Sequence, residues 1–164
     1  MKEVYRCPRE NINCRRKLVK LIHSTNVLCV VSLDGSIRSP NTDEVLTAIE
    51  IKCPFPSDKQ PPVHYKLPEY KVCRYLAEIA ALNTDQLLYI SYSKASMTVF
   101  RVLFSAELWQ TIWDLVKTEY DREISTKPTR NHPNLKTIKP QIKEFTNRNV
   151  QFFARFPHVS LSLI

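Results

Sequence analysis

The chain contains a single glycine, Gly35, among its 164 residues, and that glycine directly follows Asp34. Glycine adopts positive φ angles at little cost, so a chain with one glycine has one position where a left-handed turn forms easily. The 11 prolines supply the other breaks, and they cluster at 54–62 and at 128–140. We therefore expect a turn at Asp34–Gly35 and irregular connections at the two proline clusters.

The overall composition is that of a single globular domain over residues 1–164. A hydrophobic fraction of 43% and a charged fraction of 24% are ordinary for a soluble protein. The sequence has no run of about 18 or more apolar residues, so no membrane-spanning helix is expected. The segment 1–8 lacks the apolar stretch of a signal peptide. We expect an intracellular protein, with the nucleus as one candidate location.

The cysteines and histidines do not suggest a structural metal or a disulfide framework. The five cysteines are an odd number at irregular spacing. There is no Cys-x-x-Cys pair, and the four histidines lie far apart along the chain, so a structural zinc site is not expected. We expect reduced thiols in or near the core, and no small-molecule cofactor.

The chain is basic, with 24 lysines and arginines against 16 acidic residues and a formal net charge of +8. Such an excess favours polyanionic partners, through phosphate contacts and counterion release. The segment 15–20 is a candidate contact for the DNA backbone, and a solvated face is the alternative for it. The charge therefore favours DNA as a partner, although only modestly.

Two apolar segments flank the Asp-Gly turn and are typical of β-strands. The β-branched, apolar run at 27–33 predicts a buried strand, and a second strand is predicted at 45–52, after the turn residues Ser39–Asn41. We expect these two strands to pair antiparallel. Residues 15–22 are expected to form a short helix.

The remaining patterns predict an α/β fold with a mixed β-sheet flanked by α-helices. Pro68 suits the first turn of a helix that ends at Asn83, and Ser105 is a suitable N-cap for a second helix to about Tyr120. The other predicted elements are strands at 87–92 and 97–104 and a last helix at 139–155, with Pro140 in its first turn. The aromatic residues expected in the core are Trp109, Trp113, Phe145, Phe152 and Phe153.

Polar residues of the first two strands indicate one shared site. Residues two apart in a strand project from the same face, so Glu50 and Lys52 point together. Ile49 and Ile51 are then expected to face the core. If the two strands pair antiparallel, Asp34 approaches the Glu50 face from its end.

This set of residues suits metal-assisted hydrolysis of a phosphodiester. Asp34, Glu50 and the backbone carbonyl of Ile51 offer hard oxygen ligands for Mg²⁺ or Mn²⁺. Such an ion polarises the scissile phosphate and lowers the pKa of a bound water, and Lys52 could orient that water or offset charge on phosphorus. Two plainer interpretations stay open, because Glu-x-Lys is also a common solvated pair on strands and Asp-Gly a common turn.

The motif around these residues resembles a known nuclease family. The segment 32–37 contains the Asp-Gly pair, and 48–56 has the sequence Ala-Ile-Glu-Ile-Lys-Cys-Pro-Phe-Pro. Together they are similar to the YqaJ-type viral recombinase family, whose relatives include phage lambda exonuclease. The likeness covers most of residues 27–120 and implies a restriction-endonuclease-like core there, but it fades in the final helix. The pattern of residues predicts a C-terminal helical extension at 134–156 after this core.

The resemblance implies a Mg²⁺-dependent exonuclease that resects duplex DNA, with Asp34, Glu50 and Lys52 on the catalytic positions. Where the family carries a glutamine in the following helix, this chain has Arg74, which is either a solvated or phosphate-paired surface residue or a DNA ligand beside the metal. Glu10 is a candidate for an N-terminal active-site glutamate of the family.

A homo-oligomer is left open, because related exonucleases form rings. The alternative function is a catalytically inactive, shortened nuclease-fold domain that binds DNA or a protein partner.

Overall fold

The computed structural model describes residues 18–23, 26–54, 63–94, 96–120 and 133–157. Within them, strands and helices alternate in the manner of an α/β fold. Their bounds are β1 Leu18–His23, β2 Asn26–Ser32, β3 Gly35–Arg38, β4 Val45–Lys52, the short 3₁₀-helix η1 Glu69–Lys71, α1 Val72–Leu82, β5 Gln86–Tyr92, β6 Ser96–Leu103, α2 Ala106–Tyr120, α3 Pro133–Asn149 and β7 Val150–Pro157.

Five strands form one mixed sheet in the order β3-β4-β5-β6-β7. The pairing of β4 with β5 is parallel, and the other three pairings in this sheet are antiparallel. A parallel pair needs a crossover connection, and η1 and α1 lie between these two strands in the chain. Strands β1 and β2 form a separate antiparallel pair.

The hydrophobic core lies on one face of the mixed sheet. Ala48 of β4 pairs with Leu87 of β5, which pairs with Val102 of β6, and all three are buried. Helix α1 contacts β4 and β5 and adds Leu76 and Ile79 to the same core cluster. Because the crossover helix packs on this face, residues that β4 projects toward α1 are removed from water.

The mixed sheet, the flanking helices and most predicted elements are confirmed. The strand predicted at 45–52 is β4, the helix predicted from Pro68 is η1 with α1, and the two strands predicted after it are β5 and β6. The predicted cap of α2 is present, since the Leu108 N–H donates a hydrogen bond of 3.3 Å to Ser105 Oγ. Helices long and apolar enough to cross a membrane are absent from the part of the chain that the structure describes.

Two predictions for the N-terminal part are wrong. Residues 18–23 form strand β1 instead of a helix, because a run with β-branched residues can pair with β2; residues 15–17 lie outside the described ranges. The strand predicted at 27–33 exists as β2, but its partner is β1 and not β4. The antiparallel partner of β4 is the short strand β3, which begins directly after Asp34.

Gly35 does not make the left-handed turn that its position predicted. Its φ angle is not positive, and it pairs with Ile49 as the first residue of β3. A Cβ atom at Gly35 would lie 3.7 Å from Ile49 Cβ, which is an ordinary contact. The left-handed backbone positions among the described residues are instead Asp43 with φ 55° and Asn83 with φ 50°. Both residue types tolerate this conformation, so the described turns do not need a glycine.

The last helix begins and ends earlier than predicted. Because α3 spans Pro133–Asn149, Pro140 lies in its middle and leaves the Lys136 carbonyl without its usual donor. Both residues are exposed, so water can solvate that carbonyl. The expected extension at 134–156 is therefore helical only to Asn149, and its remainder belongs to strand β7 at the edge of the sheet.

Two aromatic residues of β7 are not in the core, because β7 is the edge strand of the sheet. Phe152 and Phe153 are each 57% exposed on this strand, contrary to prediction. Phe145 of α3 is buried as expected. Trp109 and Trp113 are partly buried, with their ring centroids 5.5 Å apart.

We predict that Gly35→Ala leaves the free energy of unfolding unchanged or raises it by up to about 1 kcal/mol, because alanine fits and restricts the unfolded chain. Asn83→Ala is the matched comparison and should lower it by about 1–2 kcal/mol, since alanine is strained at positive φ. Urea unfolding of both variants measures this. A Gly35→Ala variant that loses more stability than Asn83→Ala would contradict the assigned strand geometry.

Candidate active site

The three residues predicted as a catalytic cluster lie together beside β4. Asp34 occupies the connection between β2 and β3, whereas Glu50 and Lys52 project from β4 itself. The Lys52 Nζ lies 3.7 Å from Asp34 Oδ2 and forms an ion pair with Glu50 Oε1. The short strand β3 achieves this convergence, because it pairs with β4 immediately after Asp34. The structure thus brings together two carboxylates and one lysine from two neighbouring segments.

The Asp34 carboxylate is fixed by the backbone of β4. Its Oδ2 accepts a hydrogen bond of 2.9 Å from the Ile51 N–H. This N–H belongs to the peptide that joins Glu50 to Ile51, so the hydrogen bond holds one carboxylate next to the other. The Ile51 side chain is 43% exposed, which corrects the expectation that it lies in the core. The backbone of Ile51, rather than its side chain, therefore serves the site.

Glu50 is the most deeply buried group of the cluster, with a relative exposure of 0%. Its Oε1 faces both Lys52 and Arg74, whose Nη2 lies 2.9 Å away. Its Oε2 is also buried and has no hydrogen-bond partner among the described residues. Removing a carboxylate from water costs several kcal/mol unless its charge is compensated. The two cations supply that compensation and leave Oε2 as an unused acceptor.

Arg74 connects Glu50 to a carboxylate that the sequence analysis missed. The Arg74 Nε donates a hydrogen bond of 2.7 Å to Glu78 Oε1, and Glu78 is fully buried. Two features of the sequence pointed to Glu78. It follows Arg74 by four residues, which is the spacing of an ion pair on a helix, and it lies between two apolar residues. Arg74 itself is 48% exposed. The structure therefore places it at the rim of the cluster, paired with two carboxylates.

Opposing influences act on the pKa of Asp34. Burial acts to raise this pKa, but the hydrogen bond from the Ile51 N–H, the neighbouring Glu50 carboxyl group and the positive charges of Lys52 and Arg74 outweigh burial. The net effect lowers the pKa below its ordinary value. Asp34 is therefore ionised at neutral pH and able to accept hydrogen bonds or hold a cation.

Burial dominates at the two glutamates. It raises the pKa of Glu50, against the opposing hydrogen bond and charge of Lys52. It also raises the pKa of Glu78 to about 7, against the hydrogen bond from Arg74. The three carboxylates differ in environment, because Asp34 is held by donors near the surface while the glutamates lie beneath the cations.

A histidine and two tyrosines form a polar layer beside the cluster. Tyr89 pairs with Glu50 across β4 and β5, and its hydroxyl hydrogen-bonds to His64 Nδ1. The Tyr75 and Tyr89 ring centroids lie 5.3 Å apart, and both rings are fully buried. Burial raises the pKa of both phenols, so both remain neutral. The Tyr75 hydroxyl has no hydrogen-bond partner among the described residues. Glu50 therefore borders a neutral polar layer as well as the two cations.

The site offers a divalent cation suitable oxygen ligands, and one of these oxygens has no other partner among the described residues. Asp34, Glu50 and the Ile51 carbonyl provide oxygen ligands of the kind that Mg²⁺ prefers, and Glu50 Oε2 has no hydrogen-bond partner within the described ranges. A cluster of three or more His, Cys, Asp or Glu side chains placed to hold a metal is not found among these residues. The expected set contains two such side chains and one carbonyl, so it does not require a cluster of that kind.

Comparison of the chain with known protein families, curated proteins and solved structures finds no match. The likeness to YqaJ-type nucleases accordingly rests on the sequence motif, and function has to be argued from the site itself. Two predicted contributors, Glu10 and the basic residues 15–17, lie outside the described ranges, and so do the side chains of residues 18–20.

We predict that Glu78 makes the fold less stable as the pH rises. The folded protein retains this proton up to a pKa of about 7, whereas the ordinary value is 4.5. Because this pKa is raised, the contribution of Glu78 to the free energy of unfolding is fully present below pH 4.5. It falls by on the order of 3 kcal/mol as the pH rises toward 7 and is constant above that pH. Glu78→Gln, which keeps an acceptor for Arg74, should remove this decline.

Urea unfolding of the wild type and Glu78→Gln between pH 4.5 and 8 measures the effect as a difference, in which the contributions of other groups cancel. Glu107→Gln, an exposed change at the start of α2, controls for the loss of a carboxylate. The stability advantage of Glu78→Gln over the wild type should grow toward pH 8. An advantage that stays constant over this range would show that the pKa of Glu78 is not raised.

Proposed function

We propose that the chain is a metal-dependent deoxyribonuclease, an exonuclease of viral-recombinase type that acts on duplex DNA. The observation that supports this function is the convergence of Asp34, Glu50 and Lys52 beside one peptide of β4. A mixed sheet with a helix crossing between β4 and β5 agrees with a restriction-endonuclease-like core, which we include in the proposal. The net charge of +8 suits a polyanionic substrate.

Each residue has a role that follows from its position. Asp34, Glu50 and the Ile51 carbonyl would hold Mg²⁺ or Mn²⁺, which when bound supplies Lewis-acid polarisation of the phosphate and a more acidic water. Lys52, which contacts both carboxylates, positions its ammonium where negative charge develops on the phosphoryl oxygens. The hydrogen bond from the Ile51 N–H keeps Asp34 in place without a mobile side chain.

Arg74 has a proposed role at the rim of this site. Its guanidinium uses Nε and Nη2 for Glu78 and Glu50, and arginine has five N–H donors in all. Because the side chain is half-exposed, the remaining donors can contact a DNA phosphate. Arg74 therefore orients Glu50 on its buried side and binds substrate on its exposed side.

We predict that end-labelled linear duplex DNA is degraded in Mg²⁺ or Mn²⁺ and left intact in EDTA. Lys52→Met, which keeps most of the side-chain volume, should lower the rate by roughly 10²–10³-fold, because it removes one preorganised positive charge. Asp34→Asn should be impaired at least as strongly. Lys94→Met, at the turn between β5 and β6, is the matched control and should retain full activity.

Closed circular plasmid in the same assay separates the two modes of cleavage, since an exonuclease needs a free end. Circular dichroism of each variant excludes loss of fold as the cause of lost activity. Linear DNA that stays intact with folded wild-type protein, or cleavage by Lys52→Met at the wild-type rate, would contradict the assignment.

A second candidate function is a catalytically inactive domain that binds DNA. The observation in its favour is that the charge of Glu50 is already compensated by Lys52 and Arg74, so a further cation has to compete with them. This candidate predicts salt-dependent DNA binding without cleavage in any divalent metal. It also predicts that Lys52→Met binds DNA nearly as well as the wild type.

A further inference from the structure

A groove of about 840 Å³ lies between η1 and α3, outside the cluster of Asp34, Glu50 and Lys52. One side consists of residues from η1, and the other side consists of one face of α3. The lining residues are Glu69, Tyr70, Lys136, Lys139, Pro140, Ile142 and Lys143. Three of the seven are lysines, so the groove is strongly basic.

The charges of these lysines are not neutralised by nearby carboxylates. All three are exposed, and none forms an ion pair within the described part of the chain. The nearby acidic residue of α3, Glu144, is paired instead with Arg148 at 2.7 Å. One carboxylate, that of Glu69, lines the groove. Positive charge therefore exceeds negative charge along this surface.

The spacing of the lysines suits a chain of phosphates better than one phosphate. Lys136, Lys139 and Lys143 follow one another by three and four residues, so they lie along one side of α3. At about 1.5 Å per residue, the row from Lys136 to Lys143 extends about 10 Å. Successive phosphates of one strand are separated by about 3.4 Å along the axis of B-DNA and by more in an extended single strand, so the row is long enough to contact more than one phosphate.

An exposed aromatic ring faces the same groove. Tyr70 is 80% exposed, and the Lys71 Nζ lies 5.7 Å from the centroid of its ring. Proteins that bind single-stranded nucleic acid combine a basic groove with aromatic rings on which unpaired bases stack. Bases within a duplex already stack on each other, so Tyr70 favours an unpaired strand.

One continuous segment, η1 with α1, contributes residues to both the groove and the candidate active site. Tyr70 precedes Arg74 by four residues in the continuous segment of η1 and α1. Lys71 lies beside Tyr70 on this segment, and burial followed by the positive charges of Lys52 and Arg74 lowers the pKa of Lys71. Positive charge thus extends from the cluster through Lys71 to the groove.

We propose that the groove between η1 and α3 binds a single-stranded segment of DNA, with phosphates on Lys136, Lys139 and Lys143 and an unpaired base on Tyr70. This inference rests on the proposed nuclease function for the identity of the strand, which is an unpaired strand at the end of the duplex being resected. Binding in the groove needs neither the metal nor cleavage, so the groove assignment and the nuclease function can be tested separately.

The test is fluorescence anisotropy of a labelled single-stranded oligonucleotide in EDTA, at several salt concentrations, with a hairpin duplex of the same length for comparison. Lys139→Gln/Lys143→Gln should weaken single-strand binding by about tenfold and reduce the salt slope by about 1.4, or about 0.7 for each phosphate that the variant no longer neutralises. The control pair Lys66→Gln/Lys94→Gln removes the same charge outside the groove and should change both quantities much less.

Tyr70→Ala and Tyr70→Phe separate stacking from charge. Tyr70→Ala should weaken single-strand binding by roughly fivefold to 100-fold, with little effect on the duplex, and Tyr70→Phe should bind like the wild type. Equal losses for the groove pair and the control pair, or an unaffected Tyr70→Ala, would overturn the proposal. If the folded wild-type protein binds single strands in the groove but does not cleave DNA in any divalent metal, the nuclease function is rejected and the groove assignment stands.

Discussion

The arrangement of the site depends on how the buried negative charge of Glu50 is compensated. This charge lies beneath the crossover helix, on the sheet face that carries the hydrophobic core, where an uncompensated charge would cost several kcal/mol. Lys52 from the same strand and Arg74 from α1 compensate it, and Arg74 extends the network to Glu78. The charge of one glutamate thereby ties β4 to α1. A site built on two packed elements holds its groups more firmly than one built on loops.

The parallel pairing of β4 with β5 determines which elements meet at this site. Because a parallel pair needs a crossover, α1 lies over the two strands and presents Arg74 and Glu78 to Glu50. The short strand β3, which precedes β4 in the chain, pairs antiparallel with it, and Asp34 just before β3 is held against the β4 backbone. The same crossover begins with η1, so Tyr70 of the groove and Arg74 of the cluster belong to one continuous segment. One topological feature thus supports both the proposed catalytic site and the proposed strand-binding groove.

Local patterns in the sequence predicted local structure well. The bounds of β4, the helix ending at Asn83 and the Ser105 cap followed from hydrophobic spacing and turn chemistry, and the shared face of Glu50 and Lys52 followed from alternation along a strand. Asp34 was expected beside them through a pairing of β2 with β4, whereas the pairing of β3 with β4 brings it there. Strand partners were not predictable in this way, because pairing is decided by distant segments: β2 pairs with β1, and residues 150–157 joined the sheet despite helical spacing. Glu78 was missed because a helical pattern does not reveal which polar residue the next layer will cover.

We propose that the carboxylates of Asp34 and Glu50, with the Ile51 carbonyl, form a divalent metal site. Anomalous diffraction from crystals soaked in Mn²⁺ tests it most directly, because the signal locates the ion without reference to activity. The account predicts an anomalous peak bounded by these three oxygen ligands, and its loss in Asp34→Asn crystals. A map without a peak there, with Lys52 and Arg74 still paired to Glu50, would contradict the claim and favour a domain that binds DNA without cleaving it.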